Sequence, residues 1–366
     1  VRKCPYCDFN SYEAKQGDPA EDSYVDALLR DLDAELVNVR GRPLASVFIG
    51  GGTPSLFSGG AIRRLLDGIR ARAPLGPEAE VTLEANPGAV EAERFAEYRA
   101  AGVNRLSIGV QSFRAAQLAK LGRVHGPEEA ARAAQLAKAA GFDNFNLDLM
   151  YALPGDDVDG SLADLAAAIA LGPPHLSWYQ LTLEPNTAFH RRPPALPAEH
   201  LALEMEQRGR ELLASNGFER YEVSAYTRDG RRCVHNVNYW QFGDYLGLGA
   251  GAHGKVTVPH ERLVERRAKV RSPRTFMRAA GTAGAVSVER IRDGKQLAVE
   301  FLMNALRLPA GVPQTLFAER AGVPVAAIEP GVRDALARGW LAADPGVLRP
   351  TAAGLQMLNP LLALFC

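Results

Sequence analysis

The segment Phe48–Ser55, FIGGGTPS, follows a short β-rich run, Ala45–Ile49. Alone, a triple glycine reads as a turn. Its meaning comes from what recurs around it. TLEANP (Thr82–Pro87) closes a second run, Ala79–Ala85, and RLSIGVQSF (Arg105–Phe113) contains a third, Asn104–Val110. NLDLMYALPG (Asn146–Gly155) closes a fourth, Phe142–Met150, and two more follow at Leu176–Leu183 and Glu219–Ser224. Most of these runs hold adjacent apolar residues, as expected of strands buried on both faces. Amphipathic helices fall between them. Tyr24–Val37 sets Val25, Leu28, Leu29, Leu32 and Leu36 on one face, with Asp18-Pro19 as a start signal. Glu91–Ala101 and Pro127–Ala140 each stop at a glycine, Gly102 and Gly141. Strands alternating with helices predict βαβ units and a parallel sheet. Each of the first four runs ends on a polar group, where ligand sites of α/β folds form. Packing does not explain four in succession.

Composition bounds the rest. The 366 residues are enough for two domains. Lys+Arg and Asp+Glu both number 42, and this zero net charge argues against nucleic acid as a partner. No apolar run reaches the length of a membrane span. Four cysteines, Cys4, Cys7, Cys233 and Cys366, make no disulfide framework and read as a reducing cytoplasm.

Past about residue 260 the pattern changes. Arg262–Arg274 is basic and polar and reads as a linker. Helices are expected at Gly294–Leu306, Pro313–Ala321 and Val325–Arg338, then a hairpin turning at Asp344-Pro345-Gly346. Three helices and a wing resemble a winged-helix module, read here as a packing or lid domain. The expected domains are residues 1–260 and 275–366.

The first residues, VRKCPYCDFNS, pose a separate question. Cys4-x-x-Cys7 allows a redox pair, half of a zinc knuckle or part of an iron–sulfur site, which needs three or four thiolates. The first expected element is a helix with no strand before it, so the strand of the opening loop is expected upstream of Val1.

Taken together, these motifs resemble the radical S-adenosylmethionine proteins, in the branch that holds oxygen-independent coproporphyrinogen III oxidase (HemN) and the haem chaperone HemW. The resemblance runs along nearly the whole chain. It implies an α/β fold, a partial (β/α)6 barrel with its first strand missing, and a C-terminal helical, winged-helix-like domain. In that family Cys-x3-Cys-x2-Cys binds a [4Fe–4S] cluster. Cys4 and Cys7 match the second and third cysteines, and the first is expected just before Val1. Three thiolates leave one iron open for S-adenosylmethionine, whose reductive cleavage yields a 5′-deoxyadenosyl radical.

By the same resemblance Tyr6, Gly51, Gly52, Thr53 and Glu84 bind S-adenosylmethionine. Gln111, Arg123 and Asp148 match further ligand positions, associated in HemN with a second molecule of it. Without the resemblance, Arg123 reads as a solvated helix-end cation and Asp148 as a structural cap. HemN carries a fourth cysteine where this chain has Phe9, which favours HemW. So does CVHNVNYW (Cys233–Trp240), in which His235 is the expected axial haem ligand and Tyr239 and Trp240 cover a porphyrin face. Cys233 and His253 are rival ligands. The function implied is a haem chaperone that holds the cluster, S-adenosylmethionine and haem. Its partners would be an electron donor and haem-accepting apoproteins. The alternative is an enzyme that decarboxylates the propionates of coproporphyrinogen III.

Overall fold

The computed structural model describes residues 3–12, 21–39, 41–88 and 92–366. Five strands, β1 (Leu44–Ile49), β2 (Leu75–Ala85), β3 (Arg105–Gln111), β4 (Phe145–Tyr151) and β5 (His175–Gln180), lie side by side in chain order and run parallel. Helices α1 (Glu21–Glu35), α2 (Gly59–Arg70), α3 (Phe95–Ala101), α4 (Ala115–Lys120), α5 (Pro127–Ala139) and α6 (Val158–Ala170) precede or connect them. The Asp18-Pro19 start signal lies outside the described residues. Gly102 ends α3 in the left-handed conformation, at φ +108°. Together these elements form a half-barrel α/β sheet.

The sixth strand runs in the same direction as the first five but does not pair with β5. Glu219–Glu222 (β6) occupies the sheet edge, and Ala225–Thr227 (β7) is inserted between it and β5, antiparallel to both. The Glu222 carboxylate accepts from the amide and the hydroxyl of Ser224 at 3.0 and 2.9 Å, which closes the turn.

The strands are not apolar on both faces. Val81, Leu83, Leu106, Ile108, Val110, Phe145, Leu147, Leu149, Leu176 and Trp178 point one way into the main core. Their neighbours Glu80, Thr82, Glu84, Arg105, Ser107, Asn146, Asp148, His175, Ser177 and Tyr179 point the other way, since strand side chains alternate. The register lines these up: Glu84 beside Ser107, Ser107 beside Asn146, Asn146 beside His175. The concave face of the half-barrel is therefore a polar lumen.

Arg262–Arg274 is not a linker. Leu263–Lys269 (β9) is the central strand of an antiparallel sheet between His253–Val258 (β8) and Val286–Ile291 (β10). Its charges face inward. The Lys269 ammonium is 2.6 Å from both Asp31 and Glu35 on α1, and Arg267 also donates to Glu35. Val264 and Ile291 enter a second core with Phe301, Phe317 and Leu361. That core is built on Gly294–Ala305, Gln314–Ala321 and Glu329–Ala337. A hairpin closes it: Leu341 bridges Pro350, the Ala342 amide donates to the Arg349 carbonyl, and the Val347 amide donates to the Asp344 carbonyl across the turn, while Val347–Leu348 also pairs with Val312–Pro313. We propose the domain division at β9, with β8 at the end of residues 1–260 and β10 within residues 275–366. Among the described residues no helix is long and apolar enough to cross a membrane.

Candidate functional site

The cysteine loop is pinned against the C-terminal ends of the strands. The Cys7 amide donates to the Cys4 carbonyl at 3.2 Å, and the Phe189 amide donates to the Pro5 carbonyl at 2.9 Å. Tyr6 packs with Phe189 among Leu121, Met150, Leu153 and Leu181. Burial pushes the Tyr6 hydroxyl well above its ordinary range. Both cysteines are free thiols, half-buried, and burial also raises Cys7. Cys4 Sγ lies 3.9 Å from Arg123 Nη1.

Opposite the loop stands the glycine run after β1. A Cβ on Gly52 would come 3.3 Å from Ser11, so the run and the cysteine loop touch as backbone. Gly51 has φ +119°, open to glycine alone among common residues, and its amide donates to Glu84 Oε2 at 3.0 Å. Thr53 Oγ1 donates to the Gly52 carbonyl at 2.6 Å. Burial raises the Glu84 carboxyl to about 7; the Gly51 amide opposes this, and nearby Asp148 adds to it. Asp148 accepts from Ser107 Oγ at 2.9 Å and Asn146 Nδ2 at 2.8 Å, and burial raises its carboxyl too.

Two further groups tie these strand ends together. Gln111 holds φ +69°, a strained value for a residue with a Cβ, and its Oε1 accepts from the Tyr179 hydroxyl at 3.0 Å. Arg123 donates through Nη2 to Asn86 and to the Gly109 carbonyl, so it is not a solvated helix-end cation. Its Nε is buried without a hydrogen-bond partner among the described residues.

The HNVNYW segment lies deeper in the lumen. Val234–Trp240 is a short helix whose first turn abuts Glu80, four residues before Glu84 on β2, or about 13 Å at the rise of a strand. His235 Nδ1 is 3.1 Å from Glu80 Oε1, and the ring stacks on Phe48 at 4.2 Å. Burial would raise Glu80, but His235, Arg105 and the Val234 amide outweigh it and hold the carboxyl at about 2. Cys233 lies 3.1 Å from His235 Nδ1, and burial pushes its thiol up to about 12. Tyr239 packs against the Tyr245 ring. Trp240 faces elsewhere: it packs on the second core with the Arg307 guanidinium 4.2 Å from its ring. His253 begins β8, exposed.

A hydrogen-bonded chain joins the two levels. Asn146 Nδ2 donates to Asp148, and Asn146 Oδ1 takes the His175 Nδ1 proton at 2.7 Å. His175 Nε2 then accepts from the Tyr221 hydroxyl at 2.9 Å, and that oxygen accepts from Asn236 Nδ2 at 3.2 Å. Burial, with Arg105 nearby, drives His175 far below its ordinary range, so the ring is neutral. Glu80, Arg105, Asn146, His175, Tyr179 and Tyr221 were not singled out in the sequence. The signal for the strand residues is the alternation of polar positions, as in Glu80, Thr82 and Glu84.

Comparison with known proteins agrees with this architecture. The Radical SAM superfamily matches residues 1–166, and the HemN C-terminal domain matches residues 293–357. The heme chaperone HemW of Escherichia coli is 50% identical, over 100% of this chain and 95% of its own length. The heme chaperone HemW of Haemophilus influenzae is 44% identical over the same shares. A mouse protein, radical S-adenosyl methionine domain-containing protein 1, mitochondrial, is 37% identical over 99% of this chain and 84% of its own. The solved coproporphyrinogen III oxidase HemN of Escherichia coli, a radical SAM enzyme, superposes with a TM-score of 0.81. It covers 100% of this chain and 87% of the other at 21% identity, a likeness of fold. The chain belongs to the radical SAM superfamily and, within it, to the family of the heme chaperone HemW.

Proposed function

We propose that this chain is a haem chaperone that holds a [4Fe–4S] cluster, S-adenosylmethionine and haem, and passes haem to acceptor apoproteins. Family membership implies the cluster and S-adenosylmethionine. The residues present fit both. Cys4 and Cys7 are free, half-buried thiols, which a bound iron cluster would deprotonate. Glu84 and Asp148 are two half-buried carboxyls whose burial outweighs their hydrogen bonds and, for Asp148, the pull of Arg105; among the described residues neither forms an ion pair, and the sulfonium and ammonium of S-adenosylmethionine are the charges that would fill the deficit. When bound, the cluster supplies an electron to S-adenosylmethionine. Around it, Gly51, Gly52 and Thr53 give close backbone approach, Tyr6 holds the loop, and Gln111 and Arg123 fix the strand ends.

The observation that carries the haem reading is the setting of His235. Its Nδ1 is bound to a carboxylate, which puts the lone pair on Nε2, the arrangement usual in metal-ligating histidines; Cys233 Sγ, 3.6 Å from that Nε2, is the contact that iron would displace. Phe48 and Tyr239, both more than a third exposed, supply aromatic surface for a porphyrin. Trp240 would act from beneath, through the second core, and not as a cover. Cys233, held protonated by burial, is the weaker candidate ligand.

The test is haem titration of the anaerobically reconstituted protein. Wild type binds haem, and His235→Ala shifts the Soret band or lowers affinity at least tenfold. With coproporphyrinogen III, S-adenosylmethionine and a reductant, no protoporphyrinogen forms. Cluster-dependent product would replace the chaperone reading with the oxidase one.

A further inference from the structure

We infer that Glu80 is the positioning residue of the haem site: it fixes the tautomer of His235 and sets how strongly that imidazole donates to iron. The inference rests on the haem reading above. Glu80 and His235 are 155 positions apart in the chain, and nothing in the local sequence pairs them.

Glu80 is 5% exposed and faces donors on nearly every side. Both its oxygens lie 3.1 Å from the Val234 amide, and Oε1 lies 3.3 Å from the His235 amide. Oε1 is also 3.5 Å from Cys233 Sγ, and Oε2 is 3.9 Å from Arg105 Nε. One carboxylate thus holds both the start of the helix and the ring that projects from it. Arg105, itself 2% exposed, keeps that carboxylate ionised in a buried place. An ionised carboxylate can only accept, so the Nδ1 contact requires the proton on Nδ1. The lone pair is then on Nε2. Phe48 stacked on the ring face prevents a flip from costing nothing.

The consequence is electronic as well as geometric. An N–H bonded to a carboxylate gives the imidazole some imidazolate character and raises its basicity. Such a ligand favours ferric over ferrous haem. Glu80 would therefore hold the bound haem in its oxidised form more firmly than an unsupported histidine does.

The experiment uses the full chain loaded with haem, as wild type, Glu80→Gln, Glu80→Asp and His235→Ala. Binding titrations, spectroelectrochemistry and resonance Raman of the ferrous form are compared. Glu80→Gln should still bind haem through His235, with ferric affinity reduced about ten- to a hundredfold. The ferrous form should lose less, and a tenfold difference between the two raises the reduction potential by about 59 mV. Glu80→Asp should recover most of the change, which a loss of packing alone would not predict. Wild type gives a check free of folding effects: its ferrous iron–nitrogen stretch should exceed that of the imidazole–haem complex in the same buffer. An unchanged potential and stretch in Glu80→Gln, with His235→Ala altering the spectrum, would overturn the role of Glu80 alone. An unchanged spectrum in His235→Ala would overturn the haem-ligand reading and this inference with it. A stoichiometric zinc ion in haem-free protein, lost in Glu80→Gln and in His235→Ala, would overturn it too, by making Glu80 a ligand.

Discussion

At the scale of residues, the cofactor end of the lumen is organised by an imbalance of charge. Glu84 has the Gly51 amide as its hydrogen-bond donor and shares its surroundings with Asp148. Its folded pKa of about 7 lies above the ordinary carboxylate value, so the folded chain binds more protons than the unfolded one between about pH 4.3 and 7. The stability this proton contributes is complete below that window and is lost as pH rises through it. A bound cation reverses the shift. S-adenosylmethionine binding at pH 6 should therefore release close to one proton, about 0.9 by this linkage. Calorimetry in two buffers of different ionisation enthalpy measures it. Glu84→Gln should bind more weakly and release almost none. A release that persists undiminished in Glu84→Gln would assign the proton elsewhere.

At the scale of elements, β9 shows where a sequence stops being legible. LVERRAK is charged at four of its seven positions, and charge without apolar periodicity reads as solvated chain. Its partners are on α1, more than 230 positions earlier, and no local pattern encodes that pairing. Lys269 is 2% exposed at its side chain and lies between Asp31 and Glu35. Lys269→Met removes the ammonium and leaves Asp31 without its cation, while Glu35 keeps Arg267. Breaking such a buried pair costs about 3–5 kcal/mol. Urea unfolding should show a loss of that order, whereas a change below about 0.5 kcal/mol, the range of surface substitutions, would restore the linker reading. The parallel strands, by contrast, were legible because each carries its own apolar residues, and the first four end at their own polar signals. The inserted β7 was not, being three residues long and continuous with the run before it.

At the scale of the whole molecule, two cores meet across the three-stranded sheet and through Arg307, which reaches Glu222 at 3.2 Å and covers Trp240. The cofactor-end residues were readable from motifs at strand termini. Glu80 and His175 were not, because each looks like an ordinary mid-strand or strand-start polar residue until the barrel curves them together. The hydrogen-bonded chain through His175 yields a checkable state. Nitrogen NMR of the ring should report a proton on Nδ1 alone, unchanged from pH 8 to pH 5. A ring that titrates near the usual histidine value of about 6.5 would mean the chain is broken in solution.

That chain also has a direction. From Asn236 to Tyr221, His175, Asn146 and Asp148, each group gives its hydrogen to the next, and none points back. The four bonds run head to tail, and each polarises the next, with the donating end on Asp148 and the other end at Asn236, next to His235 in the chain. Turning any one link reverses the demand on both its neighbours, so the row turns as a unit or not at all. The row's donating end thus lies on Asp148, where Asn146 offsets part of the cost of burying that carboxyl; the deficit that remains, shared with Glu84, is the one a cation would fill.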